Sequence, residues 1–577
     1  MSTLTAEPSA HELTEPRQPR RSWPTRLLGT SGWWLLAAVL LVLVGLPVVE
    51  LVRRMLADDA DAFRAMRDLP GIGAVAWRTF ILGLVSAAIA IGFGTAAAWS
   101  AAGLSGRKRN IAVAVPLISL LVPPPVLVIG WLFLFAPRVG YGNQLLRQLP
   151  WWDHLESGPI NVYTTFWIVV ITGLMLIPFA FMFVYNSVSA MGPSYEAAAA
   201  MSGARPMRVL CTITIPMLRP SIVYGFAICL VLGSGQFTAP LLLGRQSDID
   251  TLTTVGFAST QNFPIQYGLA SAIVSPLIIL GLLMVLFQRR AIGNTERFVI
   301  SRDESATTAR KVSNLRLVPI LLYLACVALP VLAVTHVAFS PFWSGEFKFE
   351  SYTTGNISSL LANDRFWQAL QTSTIVSVAA VVIVVPLTFF AAMATLPSSR
   401  APKVLKTVID FAVNLPLGVP ALVFGFGILF AYTQAPFNLY GTIGIIVVAY
   451  VTVMLPFSMR IQLTALSNTS DEYRQASLVA GASPLRTLWK IVVPLAKVGI
   501  LSAALLTFTL MMHEFSASLI VRSTNTQVLG ALLADYYGEG SYQNLAALSL
   551  LLVVITVAGA LVTGLAVMVV GGWRRRS

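Results

Sequence analysis

Residues Glu196 to Pro220 read EAAAAMSGARPMRVLCTITIPMLRP, and residues Tyr473 to Lys497 read YRQASLVAGASPLRTLWKIVVPLAK. Laid over one another, the two stretches align without a gap. Gly203 falls on Gly481 and Pro216 on Pro494, 278 positions apart. The same register carries Pro178-Phe179 onto Pro456-Phe457 and Gln236-Phe237 onto Glu514-Phe515. A register kept from about 178 to 240 marks an internal duplication, so the chain is read as two tandem halves.

Composition sets the solvent. Of 577 residues, 56% are hydrophobic and only 11% charged, with a mean hydropathy of +0.75. Soluble domains devote about a quarter of their residues to charge. One large soluble core would leave this sequence nothing for a polar surface. A helix that crosses a bilayer needs about 20 apolar residues. Twelve stretches qualify, near 33–52, 77–101, 112–136, 162–187, 221–243, 268–288, 317–338, 367–395, 407–431, 441–462, 498–521 and 545–570. The first begins too late and runs too long for a cleaved signal peptide. The expected fold is an all-α polytopic membrane protein of about 12 transmembrane helices, arranged as two tandem six-helix halves of the same orientation.

The formal net charge of +14 would suggest nucleic acid in a soluble protein. Here its distribution accounts for it. Alternate loops hold the basic clusters: Arg107, Lys108 and Arg109; Arg205, Arg208 and Arg219; Arg400, Lys403 and Lys406; Arg486, Lys490 and Lys497. The intervening loops are nearly balanced, with Asp58, Asp59, Asp61 and Asp68 offsetting Arg53, Arg54, Arg64 and Arg67. That bias places both termini and both copies of the repeated stretch on the cytoplasmic side of the membrane, in contact with lipid and not with nucleic acid.

The expected organisation is a disordered tail over 1–30, a first half over 31–289 with its loop at 188–220, a polar linker over 290–315, and a second half over 316–572 with its loop at 463–497. The three cysteines, Cys211, Cys229 and Cys326, have no paired spacing, so neither a disulfide framework nor a metal site is implied. The third span contains Pro123-Pro124-Pro125 and the ninth Pro416 and Pro420. Proline at membrane depth breaks the backbone ladder, which is tolerated where protein or a water-filled cavity satisfies the freed groups. Pro125 and Pro420 therefore mark either the lining of a path or a packing kink.

A loop built from a small-residue helix, a Gly-Ala turn, a second short helix and a closing proline can let another protein approach its backbone. One copy alone reads equally as an amphipathic segment resting on lipid headgroups. Two copies in one register favour a pair of docking sites for a two-fold partner. The motif resembles the EAA loop of binding-protein-dependent ABC importer permeases. Glu196, Ala197, Ala198, Gly203, Ala204 and Pro216 carry the likeness in the first half, and Gln475, Ala476, Gly481, Ala482 and Pro494 in the second. The departure is Arg474, which stands where the first copy has Glu196 and puts an acidic contact in question on that side, although Glu472 lies close by.

The resemblance implies partners: two copies of a cytoplasmic ATPase that grip the loops, and a periplasmic or lipid-anchored substrate-binding protein. A fused double permease is most similar to the ferric-iron importer permeases, with polyamine, thiamine, sulfate and aminoethylphosphonate permeases as relatives. The segments GQFTAPLLLG (235–244) and HEFSASLIV (513–521) share that character. A phosphate loop needs Gly-Lys followed by Ser or Thr, and none of the seven lysines follows a glycine. No cofactor is expected in this chain, and ATP and Mg would belong to the partner ATPase.

Within the spans, Glu514 follows His513 in the eleventh, and Gln236 occupies the matching place in the fifth. A carboxylate at membrane depth is costly and marks a functional position by default. Gln236, His513 and Glu514 are therefore candidates for the substrate path. A carboxylate suits a hard cation or a polyamine better than sulfate. The other reading is a helix-packing hydrogen bond, with His513 as a possible partner. Asp410 and Arg460, near span ends, can reach the interface by snorkelling. An ion-coupled secondary transporter is the rival class, but its repeats are often inverted, and it gives two docking loops nothing to do.

Overall fold

The computed structural model describes residues 24–56, 61–191, 199, 201–261, 263–292, 314–347, 349–399, 401–467 and 471–572. Most of the tail expected over 1–30 and of the linker over 290–315 lies outside them. The described residues form helices and no strand. Ten helices are long and apolar enough to cross a membrane, and two further pairs qualify together while bent by 93° and 116°. Counting each bent pair as one crossing gives twelve, six in each half.

The first crossing joins α1 (Pro24–Leu40) to α2 (Leu46–Leu56) through a π turn. It is followed by α3 (Ile72–Ala102), the bent pair α4 (Gly106–Ile118) and α5 (Pro124–Phe135), and α6 (Thr165–Ala190). Next come α7 (Ile215–Ser234) with the short α8 (Thr238–Leu243), and α9 (Tyr267–Ile292) closes the half. The second half repeats this order. It runs α10 (Val318–Phe339), α11 (Asp364–Thr395), the bent pair α12 (Lys403–Gly418) and α13 (Ala421–Tyr432), and α14 (Ile443–Ser467). It ends with the loop helix α15 (Asp471–Val479), then α16 (Val493–Met512), the short α17 (Ser516–Val521) and α18 (Tyr542–Gly572).

The bends follow from proline. Val419, the residue before Pro420, is extended at φ −120°, ψ 127°, because the proline ring excludes the helical region there. Pro420 then caps α13, as Pro123 caps α5, each at φ near the fixed proline value. Both broken spans are as expected from the sequence. Two further breaks are not: the fifth and eleventh spans are interrupted at Gly235-Gln236-Phe237 and at His513-Glu514-Phe515, where a continuous crossing is expected.

The halves clasp one another. Gly130 of α5 lies against the second half, where a Cβ would fall 2.3 Å from the Pro330 carbonyl oxygen of α10. Gly427 of α13 repeats the arrangement on the first half, with a Cβ position 2.6 Å from the Pro47 carbonyl oxygen of α2. The π turn over Leu41–Gly45 serves the same seam. Leu46 N–H donates to Leu41, and Pro47 has no N–H, so the Val42 and Leu43 carbonyls lose their usual helical donors. Hydroxyls of the other half replace them: Tyr432 Oη donates to Val42 at 2.9 Å and Thr452 Oγ1 to Leu43 at 3.3 Å. An unsatisfied carbonyl in hydrocarbon would cost several kcal/mol. Inside the second half, Gln462 Nε2 donates to Thr388 Oγ1 at 2.8 Å and Ser458 meets Thr388 at 2.8 Å, which joins α11 to α14. The outer faces stay apolar, with Leu321, Val382 and Leu561 exposed as lipid requires.

Candidate functional site

The repeated loop forms the same turn twice. Helix α15 ends with Gly481 at φ +83°, and Gly203 sits at φ +75°. Ala482 N–H reaches back to the Ser477 carbonyl at 3.0 Å and Gly481 N–H to Leu478 at 3.1 Å, the paired bonds of a left-handed helix stop. In the first copy Ala204 N–H reaches Ala199 at 3.1 Å, the same bond 278 positions earlier. Among the described residues, no atom beyond the chain neighbours lies within 4 Å of a Cβ built on either glycine. Within this chain glycine is therefore required for its backbone angle, and close approach of a partner is a separate matter. Glu196, Ala197 and Ala198 lie outside the described residues. Gln475 and Ala476 are exposed on α15, and Ala204 and Ala482 are half-buried behind the turns.

Each turn carries a bare apolar side chain that sequence reading passed over. Met201 is 86% exposed and Val479 88%, and they occupy the same register position. The expected role of the closing prolines needs correcting. Pro216 and Pro494 do not stop a helix. Each stands second in a long helix, α7 or α16, that runs on from a π turn, Leu210–Thr214 in one copy and Leu488–Val492 in the other. The wider turn makes room for the proline ring and its absent donor, so loop and span are one continuous rod.

Arg474 is turned inward and only 3% exposed, with Nη2 donating to the Leu466 carbonyl at the end of α14 at 3.1 Å. A cation at a helix C-terminus is favourable. Ser477 and Thr487 share a hydroxyl bond of 2.9 Å, and Ser483 accepts the Arg486 N–H. Arg460 also has a partner beyond the interface: its Nη2 donates to Asn414 Oδ1 at 3.1 Å, and Asn414 Nδ2 donates to Asp410 Oδ1 at 2.9 Å.

At the breaks, the chemistry divides. Glu514 is buried and caps α17: Ala517 N–H donates to Oε1 and Ser518 N–H to Oε2, both at 2.8 Å. Its hydrogen bond is thus to backbone, and not to His513, which is buried with Nδ1 unpartnered. Gln236 is also turned to its own half, with Oε1 accepting from Phe237 N–H and Nε2 facing Met175 Sδ at 3.8 Å. What joins the two breaks is Phe237 against Phe515, with ring centroids 6.1 Å apart. Two equivalent residues can touch only beside the axis that relates them, so the axis passes between these rings. Pro420 abuts the first break, where a Cβ on Gly235 would fall 2.3 Å from its Cγ. Pro125 is buried in the equivalent bend.

At the end opposite the loops, Arg522 grips Asp535 through two bonds of 2.9 and 2.7 Å, with Arg365 bridging Asp535 and Glu539. Burial raises the Asp535 carboxyl, but the Arg522 pairing outweighs it and leaves the group below the usual aspartate value.

This architecture of two six-span halves, each with a positive-φ glycine turn and a span broken at Gly235–Phe237 or His513–Phe515, has a counterpart among known proteins. The profile of the family described as binding-protein-dependent transport system inner membrane component matches residues 88–297 and 389–575. The chain belongs to that family. Each matched stretch holds one loop and one break. The permease is similar to the ferric transport system permease protein FbpB of Actinobacillus pleuropneumoniae, 26% identical over 475 residues, 81% of this chain and 67% of the relative. A Haemophilus influenzae protein also named for ferric transport is 25% identical over 444 residues, 76% of this chain and 68% of its own length. A Salmonella typhimurium permease named for 2-aminoethylphosphonate transport matches at 29% over 142 residues, 25% of this chain and 54% of the relative. The permease is a multi-pass inner-membrane transport subunit of an ABC importer.

Proposed function

We propose that this chain forms the membrane path of an ATP-driven importer of ferric iron, and that its two turns are gripped by two copies of a cytoplasmic ATPase. The observation that carries the reading is the matched pair of turns, each fixed by a positive-φ glycine and each tipped by an exposed apolar side chain, Met201 or Val479. The basic clusters beside them support a cytoplasmic position for both loops and both termini. A periplasmic or lipid-anchored binding protein delivers substrate to the opposite end. Because each loop continues through its π turn into α7 or α16, closure of the ATPase dimer moves the helices that lead to Phe237 and Phe515. ATP then shifts the population between outward and inward access through its contacts in one of the two states.

Ferric iron is favoured over phosphonate by coverage: the relatives named for ferric transport align over most of the chain, the phosphonate relative over a quarter. Use of Glu514 by the ion would require α17 to give up its cap, so Gln236, His513 and Glu514 stand as path residues only in a rearranged state. The test is uptake of radiolabelled ferric iron by cells carrying the chain with its ATPase and binding protein, with and without Gly203→Asp plus Gly481→Asp. Loss of uptake with the protein still in the membrane is expected. Unchanged iron uptake with loss of another ATP-dependent uptake would discard iron, and no change in any uptake would discard the docking loops.

A further inference from the structure

The second loop is wired to the first half's break. Arg474 holds the Leu466 carbonyl of α14. On the same helix, Arg460 holds Asn414 of α12, which also bonds Asp410 one turn back. Helix α12 ends at the 116° bend, and the bend is held by the first half on both sides. A Cβ on Gly281 of α9 would fall 1.4 Å from the Gly418 carbonyl oxygen, and one on Gly235 would fall 2.3 Å from Pro420 Cγ. At Gly281 backbone meets backbone, and at Gly235 the rigid Pro420 ring lies on the glycine backbone, so the bend cannot shift without displacing Gly235, next to Gln236 and Phe237.

We propose that the second docking loop acts on the path element of the opposite half, through α14 and the Gly418–Pro420 bend, with Arg460 and Asn414 as positioning residues. The inference rests on the ATP-driven reading above. Close-packed interfaces of this kind switch between discrete arrangements and do not deform smoothly, which lets a loop displacement arrive at Gly235 undiminished. The short reach of each contact also matters: apart from the rigid helices α14 and α12, every link is a direct hydrogen bond or a contact onto glycine backbone.

The test uses the reconstituted complex with its ATPase and binding protein, comparing wild type with Arg460→Met, Asn414→Ala and Arg460→Lys. Hydrogen exchange is followed at residues 235–243 and 513–521 with and without ATP, alongside uptake per ATP hydrolysed. In the first two variants, the ATP-dependent change at 235–243 should disappear while that at 513–521 persists. Uptake per ATP should fall by about fivefold or more, with basal hydrolysis unchanged and Arg460→Lys restoring most of the loss. Loss confined to 513–521, or no change at either segment, overturns the crossed route. If the wild type itself shows neither ATP-dependent exchange nor ATP-dependent uptake, the importer reading fails first, and this inference with it.

Discussion

The two docking loops share a backbone and differ in what holds it. Both stop a helix at a positive-φ glycine, both return an N–H from the following alanine to the carbonyl five residues earlier, and both pass through a π turn into a proline-bearing span. The second adds side-chain ties from Arg474 to Leu466, from Ser477 to Thr487 and from Ser483 to Arg486. The first has Glu196, Ala199, Val209 and Arg205 in those places, and neither alanine nor valine carries a hydroxyl to share. The common parts are backbone geometry, set in each copy by the positive-φ glycine. The unequal parts are anchors, and they concentrate in the half whose loop leads to the crossed bend.

Several substitutions would break or sharpen this contrast. The largest effect is expected from Gly203→Val with Gly481→Val. A β-branched residue at positive φ costs on the order of 1–3 kcal/mol at each turn, and transport should fall below a tenth of wild type, by about that factor or more, with membrane levels unchanged on immunoblots. If only one of the single variants lowers transport, the two turns are not equivalent.

Arg474→Met should come next. Removing a buried charge-assisted bond costs about 1.5–3 kcal/mol, so amide exchange across 471–482 should quicken roughly tenfold while 201–204 stays as it was. Equal loosening of both loops would show that Arg474 is not a local anchor. At the breaks, Glu514→Gln leaves one of the two capping oxygens an acceptor and replaces the other by a donor, whereas Gln236→Ala removes only a neutral acceptor and a weak sulfur contact. The first should lower the melting temperature by roughly 2–4 °C and the second by less. The reverse order would contradict the cap.

The smallest effect concerns pH. Asp535 lies below its ordinary value of 3.8 in the folded chain, so its stabilisation is fully present above the unfolded value and is lost as pH falls through the folded one. Thermal stability from this pair should be flat between about pH 5 and 8 and drop only below about 4, and Arg522→Ala should remove that acid-side slope.

Much of the architecture was legible in the sequence. Apolar run lengths gave twelve crossings, Pro123 to Pro125 and Pro420 gave the two sharp bends, and the register of 278 gave paired loops. Two features were hidden for physical reasons. The breaks at 235–237 and 513–515 lie inside stretches apolar enough on average to read as one crossing, and the polar Gln236, His513 and Glu514 do not by themselves signal a local loss of the helical ladder. The π turns before Pro216 and Pro494 were hidden because proline in sequence signals a stop, while one extra residue in the turn lets a helix pass through it. Met201 and Val479, and the Phe237–Phe515 contact, could have been found by asking which residues the register pairs. The inward turn of Arg474 could not, since a basic residue in a cytoplasmic loop reads as surface.

The central claim is that both turns touch the ATPase, and cysteine cross-linking tests it most directly. In a background with Cys211, Cys229 and Cys326 replaced by serine, Met201→Cys and Val479→Cys would each be introduced singly, labelled through the thiol with a short maleimide photocrosslinker that inserts into nearby C–H bonds, and irradiated in the assembled complex. Both positions should cross-link to the ATPase, and neither should do so in the Gly203→Val, Gly481→Val pair. An active complex in which neither cysteine reaches the ATPase would contradict it.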